Sequence, residues 1–310
     1  MRIVYWGSSA ASAEIAKSLI ENNFNIVLVI TQPDRQKGRG KKLLPTPVKR
    51  LAIEKNLPLL TPDDPNSDDV IKEISDYKPE FFFLCAYAKI LGKELLDLPD
   101  RGAINLHFSL LPELRGAAPI RRAIMKGLKR TGVTTFFMNE FLDKGDLILQ
   151  KELEIKEFET AGELEKRLIP IGKDIAKETI RVIMNDDFKR IKQDESKKSY
   201  AKKIRKEERI IDWKIPSIEI VRRINGLSPT PGGFTFYTGK RVILLKAITG
   251  NVKDGEPGTI ITEKKLEVIA GDNKTVIIEL LKPEGKNIML SNDFINGYRV
   301  KEGNSFQTLP

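Results

Sequence analysis

The stretch Gly102-Ala103-Ile104-Asn105-Leu106-His107-Phe108-Ser109-Leu110-Leu111-Pro112-Glu113-Leu114-Arg115-Gly116-Ala117-Ala118-Pro119-Ile120 decides how the rest of the chain is read. It begins as an apolar strand, places the chain's one histidine at the strand's end, turns through Pro112 and Gly116 and restarts as a helix at Pro119. Asn105 and His107 are two residues apart, so on a strand both side chains face the same way. The carboxyl end of a strand is where open α/β sheets bind ligands. A lone His at a strand end also fits a hydrogen-bonded structural role, with Leu106 and Phe108 as core and Ser109 capping the turn.

The length of the string separates these readings. Asn-x-His-x-Ser-Leu-Leu-Pro over 105–112 resembles the signature of the folate-dependent formyltransferases. The continuation Arg115-Gly116-Ala117-Ala118-Pro119-Ile120 looks like that of the members acting on methionyl-tRNA. The resemblance implies 10-formyltetrahydrofolate as formyl donor and methionyl-initiator tRNA as acceptor. It also implies a monomer with no metal, and a folate site built from Ser109, Leu110, Leu111 and Pro112.

Composition sets the outer bounds. A chain of 310 residues has room for two domains, and 40% hydrophobic with 31% charged residues is ordinary for a globular protein. There is no apolar run long enough to span a bilayer. Met1-Arg2-Ile3-Val4-Tyr5-Trp6-Gly7 reads directly as a first strand with no signal peptide, so the expected location is the cytoplasm. A net charge of +10 suits a polyanionic partner, because clustered Lys and Arg displace counterions from a phosphate backbone. Simple lysine-rich solubility would give the same number. One Cys, Cys85, excludes an internal disulfide and a multi-cysteine metal site, and one His excludes a His-pair zinc site.

In chain order, a strand over 3–6, a helix over 12–21 and a strand over 25–30 form a β-α-β opening. Gly7 lacks the Gly-x-Gly-x-x-Gly spacing of a dinucleotide fingerprint. The loop Thr31 to Leu43 carries Arg35, Lys37, Arg39, Lys41 and Lys42 with Gly38 and Gly40, and suits either a solvated linker or contact with a phosphate backbone. It is similar to the loop by which methionyl-tRNA-specific formyltransferases approach the acceptor end. The resemblance implies Arg39 beside the terminal base pair and Lys41 and Lys42 on phosphates.

Further along, Glu80 to Cys85 reads as a strand, and Tyr87 and Ile90 beyond it look like the folate-ring pocket, although a core role fits them too. Asp143-Lys144-Gly145-Asp146 is by itself a turn entering a strand. It resembles the family's Leu-Asp-x-Gly-Asp string, which implies that Asp143 rather than Asp146 completes a trio with Asn105 and His107. The helix over 160–185 is amphipathic. A charged, apolar-poor stretch follows and reads as a linker. Short β runs between Phe234 and Leu281, bounded by Gly, Asn and Asp, predict a small Greek-key barrel.

The expected fold is therefore α/β. A Rossmann-like formyltransferase domain with a mostly parallel sheet occupies 1–188, a charged linker 189–208, and an OB-like, tRNA-binding β-barrel domain 209–310. In chemical terms Asn105 would donate to an oxyanion and Asp143 would orient His107. A sugar-nucleotide N-formyltransferase or a formyltetrahydrofolate hydrolase module would share the first domain. The basic loop and the absence of an added dehydrogenase domain weigh against both.

Overall fold

A computed structural model describes residues 1–37, 42–261 and 265–309. The chain divides into two compact units. The first holds residues 1–117, 131–153 and 166–201, and the second holds 118–130, 154–165 and 202–310. The elements run β1 (Ile3–Gly7), α1 (Ala10–Glu21), β2 (Ile26–Ile30), β3 (Arg35–Lys37), β4 (Lys42–Leu44), α2 (Pro47–Glu54), β5 (Leu59–Leu60), α3 (Asp68–Asp76), β6 (Phe81–Cys85), α4 (Lys93–Leu96), β7 (Ala103–His107), α5 (Pro119–Met125), β8 (Arg130–Phe137), β9 (Leu147–Glu154) and α6 (Ala161–Met184). They continue through α7 (Ser217–Leu227), β10 (Gly233–Tyr237), β11 (Lys240–Val252), β12 (Ile260–Ile261), β13 (Leu266–Ile269), β14 (Lys274–Pro283), β15 (Met289–Leu290) and α8 (Ser291–Tyr298).

In the first unit a seven-stranded sheet has the order β5-β2-β1-β6-β7-β8-β9. Its five strands from β5 to β7 pair in parallel, and β8 turns antiparallel to β7. The run Phe81-Phe82-Phe83-Leu84-Cys85 is buried along its whole length because a parallel strand is covered on both faces. Phe82 and Leu84 join Val4, Trp6, Leu28 and Ile30 in one core layer. On the opposite face Phe83 stacks on Tyr5 with ring centroids 6.1 Å apart. Local signals fix the helix starts: Ser9 Oγ accepts from Ser12 N at 3.1 Å, and Thr46 Oγ1 accepts from Lys49 N at 3.0 Å just before Pro47.

The second unit carries a six-stranded antiparallel sheet ordered β10-β11-β14-β13-β12, with β15 on β14. The sheet curls around Trp213, Ile220, Ile224, Leu244, Val268 and Phe294. Trp213 Nε1 donates to Thr235 Oγ1 at 3.0 Å, so the buried indole leaves no orphan donor. Asn225, buried in α7, donates to the carbonyls of Phe158 and Ala247 and accepts from Ala247 N. Residues 304–307 then join both edges. Phe306 N donates to Gly258 O and Ile260 N to Asn304 O, while Phe236 and Gln307 exchange two backbone bonds of 2.9 Å. That closing segment, β15 and α8 are absent from the sequence reading, as is the β3–β4 hairpin, because each is short and lacks a sustained period.

One ion pair of the second unit makes its stability depend on pH. Arg122 forks onto Glu208 at 2.6 and 3.0 Å, and Arg205 N adds a third bond at 2.9 Å. The hydrogen bonds from Arg122 hold the Glu208 carboxyl down to about 2 from its ordinary 4.5. A depressed carboxyl contributes stability above its unfolded value and loses it as pH falls through the folded one. Glu208→Gln should therefore cost roughly 1.5–3 kcal/mol at pH 7, an interval typical of charged hydrogen bonds. The gap to wild type should close between pH 4.5 and about 2. Urea unfolding followed by Trp213 fluorescence in a Trp6→Phe background measures it, and a gap constant across that window would refute it.

Candidate active site

The strand order runs outward from β1 through β2 to β5, then returns to add β6 and β7 on β1's other side. That reversal is the topological switch point, and in open α/β sheets the crevice at the strands' carboxyl ends there is the ligand-binding place. Gly7 closes β1 opposite Cys85. A Cβ at position 7 would lie 1.8 Å from Ser12 Oγ and 2.8 Å from Cys85 O, so only glycine permits this approach. His107 ends β7, the strand next to β6, and pairs across to Thr134 of β8. Asn105 lies two residues earlier on the same strand face.

After β7 the chain doubles back. Ser109 Oγ donates to Glu113 O at 2.6 Å, and Thr134 Oγ1 donates to Ser109 O at 2.6 Å. Gln150 Nε2 donates to Leu111 O at 2.7 Å. This folding brings the backbone of 114–116 over the imidazole. His107 Nε2 lies 2.9 Å from Leu114 O, a contact that requires the proton on Nε2. Nδ1 then faces Asp143 Oδ2 at 3.8 Å, beyond hydrogen-bond length but within ion-pair reach. The same Asp143 oxygen accepts from Gly116 N at 2.7 Å. Both side chains are nearly enclosed, at 7% and 10% exposure, where charge interactions are stronger than at the surface.

Asp143 has φ 51°, a left-handed conformation that Asp tolerates better than most residues. Two positions on, a Cβ at Gly145 would lie 1.5 Å from Phe137 O, so the chain passes there only as glycine. The Asp-x-Gly-Asp spacing is thus a steric requirement of the turn that delivers the carboxylate. Among the described residues Asn105 makes no side-chain hydrogen bond, and Asp146 is not a partner of His107. The arrangement offers an amide donor, an imidazole whose Nδ1 faces a carboxylate, and that carboxylate, all suited to a tetrahedral oxyanion and a moving proton.

Other expected site residues lie in different settings. Tyr87 is 3% exposed and packs edge-on to Trp6, and burial pushes its phenol well up. Ile90 is 78% exposed. Lys42 begins β4, whereas Arg39 and Lys41 fall outside the described residues. Sequence reasoning assigned no role to Arg115, beyond its place in the family-like string, and none to Gln193. Arg115 is fully buried and donates to Gln193 Oε1 and Glu195 Oε1, holding the Glu195 carboxyl below its ordinary range. Gln193 lies in a stretch with no periodicity, so nothing in its local pattern marked it.

Comparison with known proteins bears on the same segments. Residues 1–180 match the formyl transferase family and residues 203–299 the formyl transferase C-terminal domain. The chain is 41% identical over 305 residues to a methionyl-tRNA formyltransferase of Bacillus velezensis, covering 97% of this chain and 96% of that one. It is 38% identical over 306 residues to the methionyl-tRNA formyltransferase of Bacillus subtilis, again covering 97% and 96%. Among solved structures, HypX from Aquifex aeolicus in complex with tetrahydrofolic acid shares the fold at a TM-score of 0.67 and 18% identity, over 96% of this chain and 47% of that one. The sugar 3N-formyl transferase WlaRD does so at 0.64 and 20%, over 93% and 99%. Asn105, His107 and Asp143 all lie inside the matched N-terminal segment, and with relatives this similar over nearly its whole length the chain belongs to the formyl transferase family.

Proposed function

We propose that this chain transfers the formyl group of 10-formyltetrahydrofolate to the α-amino group of methionyl-initiator tRNA, supporting translation initiation. The observation that carries the chemistry is the 3.8 Å approach of Asp143 Oδ2 to His107 Nδ1, with Asn105 on the same strand face. The curated relatives quoted above carry the choice of acceptor. The basic loop and the net charge of +10 favour a polyanionic acceptor over an amino sugar. Arg39, Lys41 and Lys42 are assigned to the tRNA acceptor end, and residues 209–310 to further tRNA contact. The reading implies a monomer acting in the cytoplasm without a metal. No helix among the described residues is long and apolar enough to cross a membrane.

In the reaction the amine lone pair attacks the formyl carbon and the carbonyl π pair moves onto oxygen. The Asn105 amide donates to that oxyanion. The Nδ1 edge of His107 and the Asp143 carboxylate face the position where the amine loses its proton. Collapse breaks the bond to N10, which leaves with a proton as tetrahydrofolate. Leu114 O holds the imidazole throughout by its bond to Nε2. Backbone of 109–112 and the segment at Tyr87 and Ile90 are assigned to the folate.

Radiolabelled formyl transfer offered in parallel to methionyl-tRNA, free methionine and an amino-sugar nucleotide tests the acceptor. Label entering the sugar nucleotide in preference to methionyl-tRNA would overturn the reading. Asn105→Ala should lower kcat about 10²–10³-fold, the range for losing one oxyanion donor. His107→Ala should abolish measurable transfer while tetrahydrofolate binding by calorimetry persists. Gly145→Ala, which forces the Asp143 turn away from Phe137 O, should cost about 10²-fold in kcat, as misplacement of a reacting group by about 1 Å does.

A further inference from the structure

We propose that Gln193 is a positioning residue for the formyl-transfer step, acting through the Asp143 turn. Its one side-chain amide donates to the carbonyls on either side of the turn, Asp143 O at 2.9 Å and Gly145 O at 2.8 Å. Its oxygen accepts from Arg115 Nε at 3.1 Å and Nη2 at 2.7 Å. Every hydrogen-bonding direction of this half-buried amide that the structure uses therefore ends on the turn or on the guanidinium.

Arg115 makes those contacts count. Its two neighbours supply the backbone groups that hold the catalytic pair: Leu114 O meets His107 Nε2, and Gly116 N donates to Asp143 Oδ2. A fully buried guanidinium is expensive unless its donors are met, so it stays where Gln193 and Glu195 receive it. The segment beyond Gln193 clamps the same tripeptide. Ser199 Oγ accepts from Leu114 N at 2.9 Å, Ser199 O accepts from Arg115 N at 2.9 Å, and Ala201 N donates to Arg115 O at 2.7 Å. Both anchors of the imidazole and carboxylate are thus registered against residues 193–201, and of these described residues Gln193 is the one that hydrogen-bonds the carboxylate's own turn.

The neighbours of the left-handed Asp143 add little packing to its turn, since Phe141, Leu142 and Lys144 are exposed. Gln193 fixes the peptides at 143 and 145, and with them the direction of the carboxylate toward Nδ1. The inference rests on the proposed transfer reaction.

The test uses the full chain with 10-formyltetrahydrofolate and methionyl-tRNA. Gln193→Met keeps the volume and removes all four bonds. Gln193→Glu keeps an acceptor for Arg115 and replaces the donor to the turn with a carboxylate oxygen that repels the carbonyls of Asp143 and Gly145. Both should lower kcat about 10- to 100-fold with KM for the folate within about twofold, the pattern of lost alignment rather than lost binding. In an Asp143→Asn background Gln193→Met should cost less than about threefold more, because two residues acting as one unit are not additive. Wild-type kcat in Gln193→Glu, or a full additive loss in the double variant, would overturn the inference. If Asp143→Asn alone keeps full kcat, the reading of the site falls and this inference with it. If Asp143→Asn loses kcat and both Gln193 variants keep it, only the inference falls.

Discussion

The first unit depends on a charge kept out of water. Arg115 has no exposed surface, and the desolvation of a guanidinium is offset only when its planar donors find acceptors with good geometry. It finds one amide oxygen twice and one carboxylate once, while Nη1 has no hydrogen-bond partner among the described residues. A residue held this way cannot drift. Because it sits between the carbonyl that binds the imidazole and the amide that binds the aspartate, its immobility passes directly to His107 and Asp143.

The sheet supplies the other half of the geometry. Five parallel strands covered on both faces make a stiff platform, and β7 ends on it at His107 with Thr134 opposite. Thr134 Oγ1 donates to Ser109 O and accepts from Leu111 N, so the loop that returns over the imidazole is tied to the strand facing it. The carboxylate arrives from a different direction, on a turn between β8 and β9. Rigid strands thus present the amide and imidazole, and a strapped turn presents the acid, a division of labour common in sites built on α/β sheets.

What the sequence made legible follows from the range over which each signal acts. The Phe81 to Cys85 run, the Asn105 and His107 spacing and the Asp143-x-Gly145 turn are local patterns with local causes, and each lies where its pattern placed it. Arg115, Gln193 and Ser199 are bound by contacts spanning 78 to 85 residues of chain, which no window of periodicity reaches. The stretch after α6 reads as a linker because it is charged and lacks large apolar residues. Its residues 191–201 nonetheless belong to the first unit through backbone pairing, as at Leu147 with Ile191 and Arg115 with Tyr200. Backbone hydrogen bonds need no hydrophobic signature, so composition could not show them.

The strip at 304–307 that knits β10 to the 258–260 backbone has a consequence for how the second unit comes into being. Among the described residues it follows every strand of the curled sheet in chain order, so the sheet keeps two naked borders until that strip has been made. Naked borders of apolar strands are templates for pairing with other chains. The second unit is accordingly open to edge-to-edge pairing whenever that strip is unmade or detached.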